Sequence, residues 1–282
     1  MNSAPSPDNR RQLVLCPVRG FCGGVRRALE TVEQLLAAEN GNPVCVYHEI
    51  VHNNFVVKDL ERRGVRFVHA LDEVPGNACL VWSAHGVGPA LEAEAARRGL
   101  RVIDATCPLV KKLHRLADEH SRHGDLVIFI GHPGHPETVG VLGHGAPFRV
   151  SSTADCDRLP ELRPGQTATV LSQTTLSSTE VENILAALRR RYPELQALSG
   201  ICYATAERQE AVRQLAAQGV ELILVIGSPG SSNSNRLCEV ANDCGIPARL
   251  VDDPGELAAM DWSQLRRIGL TATLVREDGR EG

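Results

Sequence analysis

Asp104-Ala105-Thr106-Cys107-Pro108-Leu109-Val110 follows the apolar run 100–103 and opens an amphipathic stretch that reaches about residue 120. The order reads as a strand, a tight polar turn and a helix, because proline fits the first helical turn. The cysteine falls at the helix start, where backbone N–H groups and the helix dipole favour thiolate over thiol. The same arrangement recurs in Gly20-Phe21-Cys22-Gly23-Gly24-Val25 and in Gly200-Ile201-Cys202-Tyr203-Ala204-Thr205. The three cysteines divide the chain into near-thirds, which suggests three related α/β modules whose thiolates converge on one metal centre. Three ligands on a four-iron cluster leave one iron open to a substrate, as catalytic zinc sites keep an open position.

Strand and helix patterns alternate from end to end. Apolar runs at 13–15, 44–47, 65–68, 79–82, 126–130, 148–150, 167–171, 222–226 and 249–251 read as strands. Helical periodicity covers 25–38, 178–191, 207–218 and 234–244, the first with Val25, Ala28, Leu29, Val32, Leu35 and Leu36 on one face. Such alternation predicts parallel sheets flanked by helices.

Composition narrows the function classes. A net charge of −4, with no basic run beyond Arg189-Arg190-Arg191, argues against a nucleic-acid binder. No apolar run reaches transmembrane length, so no membrane association is expected. Nine scattered cysteines behind a polar opening without a signal-peptide pattern predict a reducing, cytoplasmic setting. Cys16, Cys45, Cys79, Cys156, Cys238 and Cys244 lack the helix-start pattern and read as packing or surface residues.

Five polar loops follow apolar strands: 51–54, 83–86, 131–137, 172–177 and 227–235. Ligands of parallel α/β sheets bind at the carboxyl ends of strands. Hydroxyls, amides, histidines and helix-start N–H groups make an anion cradle, and few Lys or Arg are present. The implied ligand is a compact, buried phosphate or diphosphate. Each loop alone also reads as a turn or a helix cap; their joint occurrence beside three helix-start cysteines is harder to attribute to packing. Glu137 is the only carboxylate in these loops. Burial and a nearby anion would raise its pKa and suit it to proton delivery, with Thr174 as relay or anchor.

The stretches 19–25, 48–53, 83–87, 104–110, 131–137, 172–177, 201–205 with Arg208 and Gln209, and 227–237 closely resemble the LytB-type 4-hydroxy-3-methylbut-2-enyl diphosphate (HMBPP) reductase family. The resemblance runs in order across about residues 13–272. It implies a trefoil of three small parallel-sheet α/β domains around a central iron–sulfur cluster. It implies a [4Fe-4S] cluster held by Cys22, Cys107 and Cys202. Substrate contacts fall to His52, His85, His135, Thr174, Thr175, Ser231, Ser232 and Asn233, and catalysis to Glu137 and Thr174. The implied reaction is reductive dehydroxylation of HMBPP, an allylic diphosphate, to isopentenyl and dimethylallyl diphosphates, ending the methylerythritol phosphate pathway. Ferredoxin or flavodoxin would supply electrons.

The expected organisation is a disordered extension at 1–12, domains at 13–107 and 108–202, and a third at 203–282. The first strand, 13–22, is expected to join the third domain, which is truncated at its C-terminus. The sequence departs from the family pattern near its end. Val275 occupies the position of a diphosphate-binding serine, and relatives continue beyond Gly282. Any loss of turnover or change of substrate is expected to trace to 271–282. A paralogue acting on another allylic diphosphate, or a non-catalytic iron–sulfur sensor, is the alternative. Retention of Glu137 and Thr174 argues against the sensor.

Overall fold

The computed structural model describes residues 11–39 and 41–273. β1 (Gln12–Leu15) leads through Cys22 into α1 (Gly23–Ala38). β2 (Val44–Tyr47), α2 (Asn54–Arg62), β3 (Val65–Val68), β4 (Cys79–Trp82), α3 (Pro89–Arg97) and β5 (Arg101–Asp104) follow. Beyond Cys107 come α4 (Pro108–His123), β6 (Leu126–Ile130), α5 (Pro136–Gly143), β7 (Phe148–Val150), β8 (Ala168–Ser172), α6 (Ser178–Arg191) and β9 (Gln196–Ala197). Beyond Cys202 lie α7 (Tyr203–Ala216), β10 (Leu222–Ile226), α8 (Ser232–Asp243), β11 (Ala248–Val251), α9 (Gly255–Ala258) and β12 (Arg267–Ala272).

The strands form three four-stranded sheets, ordered β3-β2-β4-β5, β7-β6-β8-β9 and β1-β12-β10-β11. Every pairing is parallel. Strands buried on both faces need continuous apolar runs, as β4 (CLVW) and β6 (LVIFI) provide. Each sheet accordingly carries an apolar cluster on either face. The three-sheet α/β architecture is the one the alternating pattern predicts.

Each cysteine stands where the chain leaves one sheet and begins the helix that packs on the next. Ala28, Val32 and Leu35 of α1 pack with Val44 and Val46 of β2. Leu113 and Ala117 of α4 pack with Val127 and Phe129 of β6. Ala211, Val212 and Leu215 of α7 pack with Ile223 and Val225 of β10.

The chain divides into two compact units, Phe21–Ala206 and the segments on either side of it. The first two sheets share one unit because the loop after β4 presses on α5. A Cβ added at Gly143 would stand 3.0 Å from the Cα of Gly88, so any larger side chain would force the two backbones apart. His144 ties the same loop, its Nε2 lying 3.3 Å from Val87 O while its Nδ1 meets Asp118 Oδ2 of α4 at 2.8 Å. The third sheet, with β1 beside β12, belongs to the other unit.

Several elements differ from their sequence readings. α7 begins at Tyr203 rather than 207, directly after its cysteine. α2, α3, α5, α9, β9 and β12 are additional. Arg11 and Gln12, read as part of the extension, are ordered: Gln12 opens β1 and Arg11 Nε donates to Trp262 O at 3.2 Å. The expected extension at 1–10 and the position of Val275 lie outside the described residues. Among the described residues, no helix is long and apolar enough to cross a membrane.

Candidate active site

Cys22, Cys107 and Cys202 each occupy the residue before a helix. The Cys22 Sγ accepts from Val25 N at 3.5 Å, and the Cys202 Sγ from Thr205 N at 3.3 Å, with Thr205 Oγ1 at 3.1 Å. The amides of Leu109 and Val110 lean toward the Cys107 thiol without closing a capping hydrogen bond. Asp104 braces that turn by accepting from Thr106 N at 2.9 Å and pairing with Lys111.

The thiols converge. Cys107 and Cys202 each feel Cys22 electrostatically. A Cβ on Gly24 would meet Cys107 Sγ at 2.6 Å and Cys22 Sγ at 3.8 Å. The expected thiolate preference is reversed at two positions. Burial pushes the Cys107 and Cys202 thiols above their ordinary pKa, outweighing the helix-start N–H groups.

A bound cation would reverse that balance, since a coordinating thiol is deprotonated outright. All nine cysteines are free of disulfides. Among the described residues, His120, His123 and Asp125 have ligand atoms within 4.8 Å of one another. The three cysteines offer an all-sulfur donor set, which suits an iron–sulfur group.

The loops after β2, β4 and β6 bring three histidines together. His52 stacks on His85 with ring centroids 4.3 Å apart, and His135 meets them edge-on at 5.5 and 5.7 Å. His48, in the left-handed region at φ 56°, turns the chain out of β2 so that this loop can close. Burial, with repulsion from His52, lowers the His135 pKa to about 3. Burial and its histidine neighbours also hold His85 well below the ordinary range. His52 Nε2 is buried without a hydrogen-bond partner. Two neutral imidazoles beside the orphaned ring nitrogen of His52 are what an anion pocket presents before its ligand arrives.

His135 also caps α5: its Nδ1 accepts from Glu137 N at 3.2 Å. Glu137 is 2% exposed, and both its oxygens are taken by Thr174. Thr174 N donates to Oε1 and Thr174 Oγ1 to Oε2, each at 2.7 Å. Burial raises the Glu137 pKa to about 7, against the pull of those two bonds. Glu137 in turn helps to raise the Cys202 thiol, so it lies within electrostatic reach of the cysteines as well as beside His135.

Sequence reasoning missed two residues. Gln173, fully buried, accepts from His132 N and Thr138 Oγ1 and donates to Thr175 Oγ1, fastening the loops after β6 and β8 together. Glu49 accepts from His52 Nδ1 at 3.0 Å, a local contact that the i, i+3 spacing signals.

Ser231, Ser232 and Asn233 belong to the other unit, at the start of α8. Ser231 Oγ caps the helix by accepting from Ser234 N at 3.2 Å. Asn233 Oδ1 is buried without a partner, and exchanging the amide's O and N would turn a donor to that position.

A family model described as LytB protein matches residues 13–275. The 4-hydroxy-3-methylbut-2-enyl diphosphate reductase of Azotobacter vinelandii is 49% identical over 262 residues, covering 90% of this chain and 82% of that one. Its counterpart in Haemophilus influenzae (strain PittEE) is 45% identical over 268 residues, covering 93% and 84%. The solved structure of the E-1-hydroxy-2-methyl-but-2-enyl-4-diphosphate reductase from Plasmodium falciparum matches with a TM-score of 0.90 at 33% identity, over 94% of this chain and 85% of that one. The chain belongs to the LytB family of iron–sulfur oxidoreductases.

Proposed function

We propose that this chain is a 4-hydroxy-3-methylbut-2-enyl diphosphate reductase. The reaction takes two electrons and two protons, breaks the allylic C–O bond, and releases water with isopentenyl or dimethylallyl diphosphate. One observation carries the reading: Glu137, buried and raised to about 7, is bonded to Thr174, adjoins the histidine cluster through His135 and is sensed by Cys202. A reductive dehydroxylation needs that juxtaposition of an electron source, an anion pocket and an acid.

Cys22, Cys107 and Cys202 hold a 4Fe–4S cluster through three thiolates. When bound, the cluster supplies the electrons and a Lewis-acidic iron left open by the three-ligand set. His52, His85 and His135 bind the diphosphate, together with Ser231, Ser232 and Asn233. Hydrogen bonds to a charged acceptor contribute about 1.5–3 kcal/mol each, so a few well-placed donors suffice. Thr174 and Thr175 orient the substrate's hydroxyl end. Glu137, protonated below about 7, delivers a proton through the Thr174 hydroxyl to the departing oxygen. The buried walls exclude bulk water from that proton's path. A ferredoxin or flavodoxin recharges the site in a cytoplasmic setting.

The test is anaerobic turnover of HMBPP by the cluster-reconstituted protein with a chemical reductant. Formation of both five-carbon diphosphates is the expected result. A loaded cluster with no product would overturn the reading.

A further inference from the structure

His135 and His52 present opposite faces to an incoming anion. His135 Nδ1 accepts from the Glu137 amide, so the neutral ring carries its hydrogen on Nε2 and is already a donor. His52 Nδ1 faces Glu49 Oε2 at 3.0 Å, and a carboxylate only accepts, so the ring hydrogen sits on Nδ1. The neutral His52 ring then shows only a lone pair at Nε2, the atom that is buried and unpartnered. A lone pair repels a phosphate oxygen. It becomes a donor only when the ring takes a second proton.

We propose that Glu49 is a positioning residue that makes His52 the cationic arm of the anion pocket, and that diphosphate binding is coupled to uptake of one solvent proton at His52 Nε2. The inference rests on the diphosphate reading above. The groups facing His52 decide the direction. His48, His85 and His135 oppose a charge on it, and Glu49 is the carboxylate that supports one. An arriving diphosphate outweighs the three histidines. Without it, a charged His52 would stand against two nearby rings with one half-exposed carboxylate in compensation. The pocket therefore admits a highly charged anion and leaves neutral molecules of similar shape without a partner for Nε2.

The experiment is calorimetric titration of the holoenzyme with HMBPP, a diphosphate ester, at about pH 8 without reductant, in two buffers of different ionisation enthalpy. A terminal phosphate's second ionisation lies at about 6, so the ligand brings few protons of its own. Uptake of close to one proton per ligand is expected. Glu49→Gln should lose that uptake and raise KM about tenfold with a far smaller change in kcat, and Glu49→Asp should restore part of both. Binding without proton uptake by the unaltered enzyme overturns the proposal whatever the variants do, as does a Glu49→Gln enzyme with unchanged uptake and KM. Proton-coupled diphosphate binding by a protein that makes no product from HMBPP would instead overturn the reductase reading and leave the pocket chemistry standing.

Discussion

Thr174 grips Glu137 twice, through its backbone N–H on one carboxylate oxygen and its hydroxyl on the other, at 2.7 Å each. Ionised, the carboxylate has both bonds; protonated, it returns its hydrogen to the threonine hydroxyl. Burial favours the second state up to about pH 7. The raised pKa places the active, protonated form on the acid side, so kcat is expected to decline as pH rises through about 7. Glu137→Gln should lower kcat by at least about a hundredfold, lose that pH limb and keep the cluster's visible spectrum. Thr174→Val removes a bond that favours the ionised form, so its limb should move to higher pH.

Gly24 gives a test of the cysteine site that leaves all three thiols in place. A methyl group there would collide with Cys107 Sγ, whereas one at Gly23 meets nothing nearer than Tyr203 Oη at 3.8 Å. Iron and sulfide analysis after reconstitution should show Gly24→Ala depleted and Gly23→Ala loaded. Cys107→Ser should behave like Gly24→Ala.

His114 predicts how the fold responds to acid. It is 9% exposed, stacked on His144 with centroids 4.1 Å apart, and burial lowers its pKa to about 4. Its unfolded value is about 6.5, so the unfolded chain binds the proton first as pH falls. Stability should be full above about 6.5 and fall as pH drops through about 4. The loss from this group is on the order of 3 kcal/mol. His114→Leu should flatten that limb in pH-dependent thermal melts, with little change at neutral pH because the ring Nε2 has no bond to lose.

The contact of Gly143 with Gly88 fastens the histidine loop after β4 to the helix that carries Glu137. Gly143→Ala should weaken HMBPP binding and lower the melting temperature together. A variant with an unchanged KM would show that the loop does not depend on this approach.

Where local signals were strong, the fold was readable in advance. The strand–Cys–helix order around Cys107 needed only Pro108 and the periodicity beyond it. α5 escaped because Pro136-Glu137-Thr138-Val139-Gly140-Val141-Leu142-Gly143 has two glycines and three β-branched residues, a poor helix on propensity. It is a helix because His135 caps it and its glycines admit the loop at Gly88. Side-chain identities nominated the site residues, and tertiary structure decided their partners. Gln173 sits among hydroxyls that could each have capped a helix, and its bond to the His132 amide spans two loops. The thiols of Cys107 and Cys202 rose in pKa because burial depends on what the other sheets place around them.

The placing of each cysteine at a passage between sheets bears on biosynthesis. With the three thiols as ligands, the last of them, Cys202, leaves the ribosome only after the strands of two complete sheets have been made. A nascent chain offers at most two, so cofactor delivery waits for translation to reach the third module. On that ligand set, a chain that stops before Cys202 would lack the third thiolate and could not complete the site.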